Sequence, residues 1–263
     1  MPQHCYRPGQ PQGNDRQGDG YWGVMTLAGR CRRFMFGAAA LLLAAASPLL
    51  LASESESNAD EVVYSIDFTG EPDGDALGWL RERGFELELK ARQLNPHFDG
   101  GRLVLETSGR EAGLFTRKID LEEVRRIRVT WGVERYPQGT DWDGGTYRVA
   151  IATMVSFGQE RQPSGSVFVP NAPYFIGLFL DNNAQEGKAY TARYYTQGGR
   201  YFCEPCGAPA GETVTTEFDL HEAFEREFDQ SPPPVSSYAF QMNTNDTRGG
   251  ARAFLKRIEF LTE

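Results

Sequence analysis

The chain is poor in the residues on which most catalysis is built. It carries three histidines and four cysteines in 263 residues, and after residue 53 only His97, His221, Cys203 and Cys206 remain. A Ser-His-Asp or Cys-His arrangement needs a histidine as base. His97 sits in the turn Asn95-Pro-His-Phe-Asp99, and His221 opens a helical stretch among acidic residues. No serine stands in a Gly-x-Ser-x-Gly elbow; Gln162-Pro-Ser-Gly-Ser166 does not make one. A hydrolytic triad is therefore not expected. Basic charge is also short. The first 53 residues take five of the 27 basic and two of the 36 acidic residues, which leaves residues 54–263 at net −12. Such a surface, with no basic tract, repels nucleic acid and anionic membrane, so no nucleic-acid partner is expected. Internal repeats are absent and helical periodicity is scarce.

One long apolar run is present, Phe36 to Ala52, preceded by Arg30, Arg32 and Arg33. A basic start, an apolar middle and a small-residue exit make a secretory signal peptide. The run contains Pro48 and is mostly Ala, and at about 17 residues it lies at the bottom of the spanning range. The segment after it, Ser53-Glu-Ser-Glu-Ser-Asn-Ala-Asp-Glu61, is polar and acidic. Cleavage is expected near Ala52 or Ser53, with Ala46 as a second option. The alternative is an uncleaved anchor, the one route to a membrane that this reading offers. Cys31 precedes the apolar stretch, so there is no lipobox. The first 24 residues fit neither leader nor domain, and a start at Met25 would give a conventional basic n-region. Residues 1–53 are read as extension and signal peptide. Residues 54–263 are read as one exported domain, periplasmic or extracellular, and monomeric.

That domain reads as strands separated by turns. Candidates are Val62–Phe68, Phe85–Leu89, Arg102–Glu106, Gly113–Ile119, Arg126–Tyr136, Tyr147–Phe157, Tyr174–Leu180, Ala189–Thr196, Glu212–Phe218, Tyr238–Thr244 and Ala251–Phe260. Many alternate with period two, as in Phe85-Glu-Leu-Glu-Leu89 and Ile127-Arg-Val-Thr-Trp131, which puts one face in a core and the other in water. The breaks are turn chemistry, as in Glu71-Pro-Asp-Gly74 and Thr247-Arg-Gly-Gly250. Helix is expected over Leu220–Phe228, with Asp219 as N-cap, Glu222 completing a capping box, and Leu220, Phe224 and Phe228 on one stripe. A further helical turn is expected at Trp79–Arg83. The fold class is all-β, a two-sheet sandwich of jelly-roll type with one short amphipathic helix.

The stretch Ile127-Arg-Val-Thr-Trp-Gly-Val-Glu-Arg-Tyr-Pro-Gln-Gly139, followed by Tyr147-Arg-Val-Ala-Ile151, resembles the bacterial domain of unknown function 3047 family. Later pieces are similar as well: Phe218-Asp-Leu-His-Glu-Ala-Phe-Glu-Arg-Glu-Phe228, Gln241-Met-Asn-Thr-Asn-Asp-Thr-Arg-Gly249 and Lys256-Arg-Ile-Glu-Phe260. In that family the penultimate strand ends in an Asp-Thr-Asp-like loop. Here the loop reads Asn243-Thr-Asn245-Asp246, so a cation there is not carried over. The resemblance covers roughly the last 140 residues. It implies an exported, galactose-binding-like β-sandwich and brings no activity with it.

Candidate chemistry is spread over several segments. Tyr190-Thr-Ala-Arg-Tyr-Tyr195 alternates, which places Tyr190, Ala192 and Tyr194 on one side and Thr191, Arg193 and Tyr195 on the other. Together with Trp131, Trp142, Tyr147 and Arg148, and with Asn243, Asn245 and Asp246 from a loop, these residues could form a glycan-binding face. Rings there would meet sugar C–H faces, and polar groups the hydroxyls. The alternative is that the rings simply pack in the sheets. Asp141-Trp-Asp143 and Asp181-Asn-Asn183 put oxygen ligands in turns, as a structural calcium ion prefers, although turns want these residues for backbone reasons too. Glu134 and Glu217 are the candidate paired carboxylates of a carbohydrate-active lyase or hydrolase. Cys203-Glu-Pro-Cys206 is read as a loop-pinning disulfide. A binding domain for a glycan or other small polar ligand at the cell envelope is expected first. The enzyme and a structural or protein-interaction module are the alternatives.

Overall fold

A computed structural model describes residues 61–262. The apolar run, its cleavage sites, the Met25 start and Cys31 lie outside the described residues. The described chain falls within one compact unit, Ser55–Glu263. Its strands are β1 Val62–Asp67, β2 Gly74–Asp75, β3 Phe85–Leu89, β4 His97–Phe98, β5 Leu103–Thr107, β6 Ala112–Leu121, β7 Arg126–Arg135, β8 Val149–Gln162, β9 Ala172–Phe179, β10 Gly199–Cys203, β11 Val214–Asp219, β12 Val235–Asn243 and β13 Ala251–Leu261. Two helices, α1 Leu77–Glu82 and α2 Leu220–Phe228, and a 3-10 turn Ala91–Leu94 complete the described elements. One sheet runs β11-β7-β13-β5-β4-β2, with β1 also on β13; the other runs β10-β9-β8-β12-β6-β3. The architecture is an all-β, two-sheet sandwich.

Period two drives the layering. In β7, Ile127, Val129, Trp131 and Val133 are buried while Arg126, Arg128 and Thr130 face outward. In β13 the buried parity changes, from Ala251, Ala253 and Leu255 to Ile258 and Phe260. A register shift between Leu255 and Arg257, where β13 carries one residue more than β7, makes that change possible. The opposing sheet contributes Phe115 and Phe240, stacked with centroids 4.8 Å apart, and Tyr238 and Met242. Gly132 lies where β7 passes Glu212; a Cβ there would meet the Glu212 carbonyl oxygen at 2.3 Å.

Asp219 caps α2 as expected, through the first half of the capping box. The Asp219 carboxylate accepts from the Glu222 N–H at 2.7 Å, and Asp229 ends α2 in the left-handed conformation. Leu220, Ala223 and Phe224 bury their side chains, with Phe224 against Phe157 and Tyr174, and α2 packs on one strand from each sheet, β7 and β9.

One expected strand is absent, and three were not expected: the two-residue β2 and β4, and β10. Ala189–Thr196 is not a strand; an isolated bridge, Tyr190 to Tyr201, and the Gly199 N–H on the Tyr195 carbonyl hold it to the sheet. The edge is taken by β10, which runs parallel to β9. Parallel neighbours need a crossover, and residues 180–198 supply it, returning along the outer face of the second sheet.

Candidate functional site

The crossover covers a second, smaller core on the outer face. Alternation along β9 and β10 sends Ile176, Leu178 and Phe202 inward, and Phe175, Phe179, Tyr201 and Cys203 outward beneath the cover. Trp142, from the loop between β7 and β8, stacks on Phe179 with centroids 4.1 Å apart and planes 18° apart. Tyr147, Tyr190 and Tyr201 meet Trp142 at 5.3–5.6 Å. Trp142 and Tyr190 are each only 4% exposed. Of the rings expected as a ligand platform, Tyr147 and Tyr190 pack against Trp142.

Tyr195 corrects the expected faces. Its φ of 61° is left-handed, which breaks period two, so Tyr195 joins Tyr190 and Ala192 against the cluster. Its hydroxyl donates to the Pro170 carbonyl at 2.9 Å. Arg193 points away, exposed, over the ring of Tyr194. Trp131 belongs elsewhere, in the main core on β7, fully buried, its indole N–H donating to Thr216 Oγ1 at 2.9 Å. Trp131, Arg193 and the buried Tyr190 therefore form no common face.

The polar half of the expected site does come together. β8 begins beside the end of β12, with Val149 opposite Asn243. This places Arg148 against the loop after Asn243. Its Nε donates to the Asn245 carbonyl at 2.7 Å, its Nη1 to the Tyr147 carbonyl at 2.8 Å, and its Nη2 pairs with the Asp246 carboxylate. Asn243 Oδ1 accepts from the Asn245 N–H at 3.2 Å. Asp246 is held at φ 63°, a conformation that Asp tolerates better than most residues. The buried Thr244 hydroxyl ties this loop to the neighbouring one, accepting from the Glu111 N–H at 2.9 Å and lying 2.9 Å from the Gly109 carbonyl. Backbone pairing of Gln138 with Arg248 joins the third loop.

A shallow groove of about 430 Å³ opens on the β5–β6 side of this loop cluster. It is lined by Gln93, Asn95, Glu106, Thr107, Ser108 and Glu111, with Gly109. None of these side chains was among the expected site residues. Their turn chemistry, Thr107-Ser-Gly-Arg110, was visible in the sequence, but their neighbourhood depends on the loop pairing.

The turn carboxylates are used by the fold. Asp141 Oδ1 accepts from the Gly144 N–H at 2.6 Å. Asp181, almost fully buried, accepts from the Asn183 and Ala184 N–H groups at 2.7 and 2.9 Å. Asp143 binds Gln185 at 3.0 Å and ion-pairs with Lys188; the hydrogen bonds from Lys188 and then Gln185 hold its carboxyl below the usual range. Among the described residues, no group of three or more His, Cys, Asp or Glu side chains is arranged to hold a metal ion.

Glu134 and Glu217 sit on the outer face of the first sheet among arginines. Glu217 accepts from Arg126 at 2.6 Å and Arg128 at 3.0 Å. Glu134 accepts from Arg102 at 2.6 Å and from Arg252, which also pairs with Glu106 and Asp99. Partial burial pushes the Glu134 carboxyl up, but hydrogen bonds from Arg252 and Arg102 outweigh it and hold the carboxyl below its ordinary value. A general acid needs the opposite shift. Glu134 is thus placed as an ion-pair partner.

Cys203 and Cys206 form the expected disulfide, closing the end of β10 beside the Asp181 turn, whose carbonyl accepts from the Gly207 N–H at 2.8 Å. The loop closed is short, with a sequence separation of three. Its replacement by two serines is expected to lower stability by about 2 kcal/mol, measured by urea unfolding with and without reductant.

No family model and no curated protein sequence matches the chain. Several solved structures align with it. The carbohydrate recognition domain of Emp46p, potassium-bound form, is 12% identical over 76% of this chain and 96% of that one, with TM-score 0.38. The exoplasmic/lumenal domain of VIP36, Ca2+/Man3GlcNAc-bound form, is 10% identical over 68% and 83%, with TM-score 0.36. The K2 cleaved adhesin domain of Lys-gingipain is 14% identical over 75% and 88%, with TM-score 0.29. Similarity of this degree assigns this chain neither a ligand nor a reaction.

Proposed function

We propose that the chain is an exported, non-catalytic β-sandwich that binds a glycan or other small polar ligand at the cell envelope through its polar loop end. The observation that carries this reading is the gathering of Arg148, Asn243, Asn245 and Asp246 on paired loops, beside a groove lined by amides, hydroxyls and carboxylates. Loops held at one end of a rigid sandwich are where such scaffolds place recognition. Sugar hydroxyls are met by this kind of planar amide, carboxylate and guanidinium group, and the half-buried Tyr147 supplies a ring beside them. The leader-like run, the disulfide and the resemblance to the domain of unknown function 3047 family support export.

Calorimetric titration with a panel of neutral and acidic oligosaccharides tests the reading. At least one glycan is expected to bind, and Asp246→Asn is expected to weaken it about tenfold through loss of a charge-assisted hydrogen bond. Asn suits the left-handed backbone at that position, so the fold should be kept. Absence of binding to every glycan would sink the proposal, and product formation during the titration would move it to the lyase or hydrolase. Intrinsic fluorescence is a poor readout, because Trp131 and Trp142 are buried.

A further inference from the structure

The hairpin between β8 and β9 projects past the sandwich. At that end Val235 is the last residue of β12 to pair with β8, opposite Phe157, yet β8 continues to Gln162, which pairs with Ala172 of β9. Residues 163–171 form the apex, and polar groups hold it from inside. The buried Ser164 hydroxyl donates to the Val169 carbonyl at 2.6 Å and accepts from the Ser166 N–H at 3.2 Å. The Ser164 N–H reaches Asn171 Oδ1 at 3.1 Å, and Arg161 donates to the Asn171 carbonyl at 2.7 Å. Tyr195 fastens the apex to the crossover through its N–H on the Ser164 carbonyl and its hydroxyl on the Pro170 carbonyl.

On this frame Val167 is 94% and Phe168 93% exposed, more than any other large apolar side chain among the described residues. An isolated exposed apolar residue is ordinary, but two adjacent ones fixed at a projecting apex form a wedge.

The charge around the wedge departs from that of the chain. The protein carries net −9, yet along the chain no Asp or Glu occurs from Arg161 to Leu180 or from Gly187 to Arg200; Glu160 precedes the first stretch, and Glu88 lies within electrostatic reach of Tyr195. Arg161 and Arg193 make no ion pair among the described residues, and Tyr194 and Tyr195 lie beside Arg193. An apolar tip backed by tyrosines and unpaired arginines follows the order of a bilayer surface: acyl chains, then interface, then phosphates.

We propose that Val167 and Phe168 insert into the interfacial layer of a lipid bilayer, with Arg161 and Arg193 set against its phosphates. The polar loops, at the other end of β8, then face away from the membrane. This inference is independent of the glycan reading.

The test uses the full chain, so that any lipid affinity of the first 60 residues is common to all variants. Partitioning onto phosphatidylcholine–phosphatidylglycerol vesicles is measured by sedimentation for wild type and for Val167→Ser with Phe168→Ser. Because both side chains are already in water, the double variant should fold as wild type does, and thermal unfolding checks this. The proposal expects at least a roughly tenfold loss of partitioning, a conservative value for removing two apolar side chains from a lipid interface. A Phe168→Trp variant should shift its emission to the blue on vesicle addition and be quenched by brominated acyl chains. Equal partitioning of wild type and double variant would overturn the proposal. So would a tryptophan at position 168 whose emission does not respond.

Discussion

Replacing Trp142 with alanine lowers the unfolding free energy by about 3–5 kcal/mol, the usual cost of removing a buried aromatic. Trp142 fastens the outer cover of the second sheet. It stacks on Phe179, meets Tyr147, Tyr190 and Tyr201, and donates its indole N–H to the Arg148 carbonyl at 3.2 Å. Without it, four rings lose a neighbour, and the crossover loses the contact that seals it to β9. In a domain of this size each kcal/mol moves Tm by about 2–4 °C, so a fall of roughly 10 °C is expected in calorimetry. Binding at the polar loops should weaken with it, because Arg148 is held from the same side. If Trp142 were instead a ligand platform, the alanine variant would keep its stability and lose only binding.

The second large effect concerns the ion-pair network on the opposite face. Arg252 bonds Asp99 Oδ2 at 3.0 Å and pairs with Glu106 and Glu134; Arg102 and Arg135 hold the same two glutamates from the other side, at 2.6 and 3.3 Å. For both glutamates, partial burial raises the pKa, and the hydrogen bonds, led by those from Arg252, more than offset it, so both carboxyls sit below their ordinary values. A lowered folded-state pKa contributes stability that is fully present above the unfolded value of about 4.3 and is lost as pH falls through the folded value. The wild-type denaturation midpoint should therefore be level from neutrality down to about pH 5 and fall below that. Arg252→Ala is expected to cost about 1–3 kcal/mol at neutral pH, a moderate figure because these side chains remain partly in water and keep their second arginine. Its cost should shrink in acid, so that the two pH curves converge. Parallel curves would show that Arg252 acts by packing alone.

What could be read from the sequence was local. β3, β7 and α2 declare themselves because one face of each meets water, and because Asp219 and Glu222 form their cap within a single turn. β10 did not, because the crossover covers its outer face. Tyr201 and Cys203 point under the cover and Phe202 into the main core, so all three read as apolar and no alternation survives. Tyr190–Tyr195 failed for the opposite reason: its letters alternate, but the left-handed turn at Tyr195 swaps the side chains. At the site, the residue types of Arg148, Asn245 and Asp246 were legible, while their contact spans nearly 100 residues and depends on β8 lying against β12. Glu134 and Glu217 looked like free carboxylates because the arginines that neutralise them come largely from neighbouring strands.

The most direct measurement is a backbone amide chemical-shift map of the protein titrated with an oligosaccharide panel. The account predicts shifts at residues 107–111, 138–148 and 243–250, with the amides of the buried ring cluster on β9 and β10 left in place. Shifts centred on residues 190–202, or none with any glycan, would contradict it.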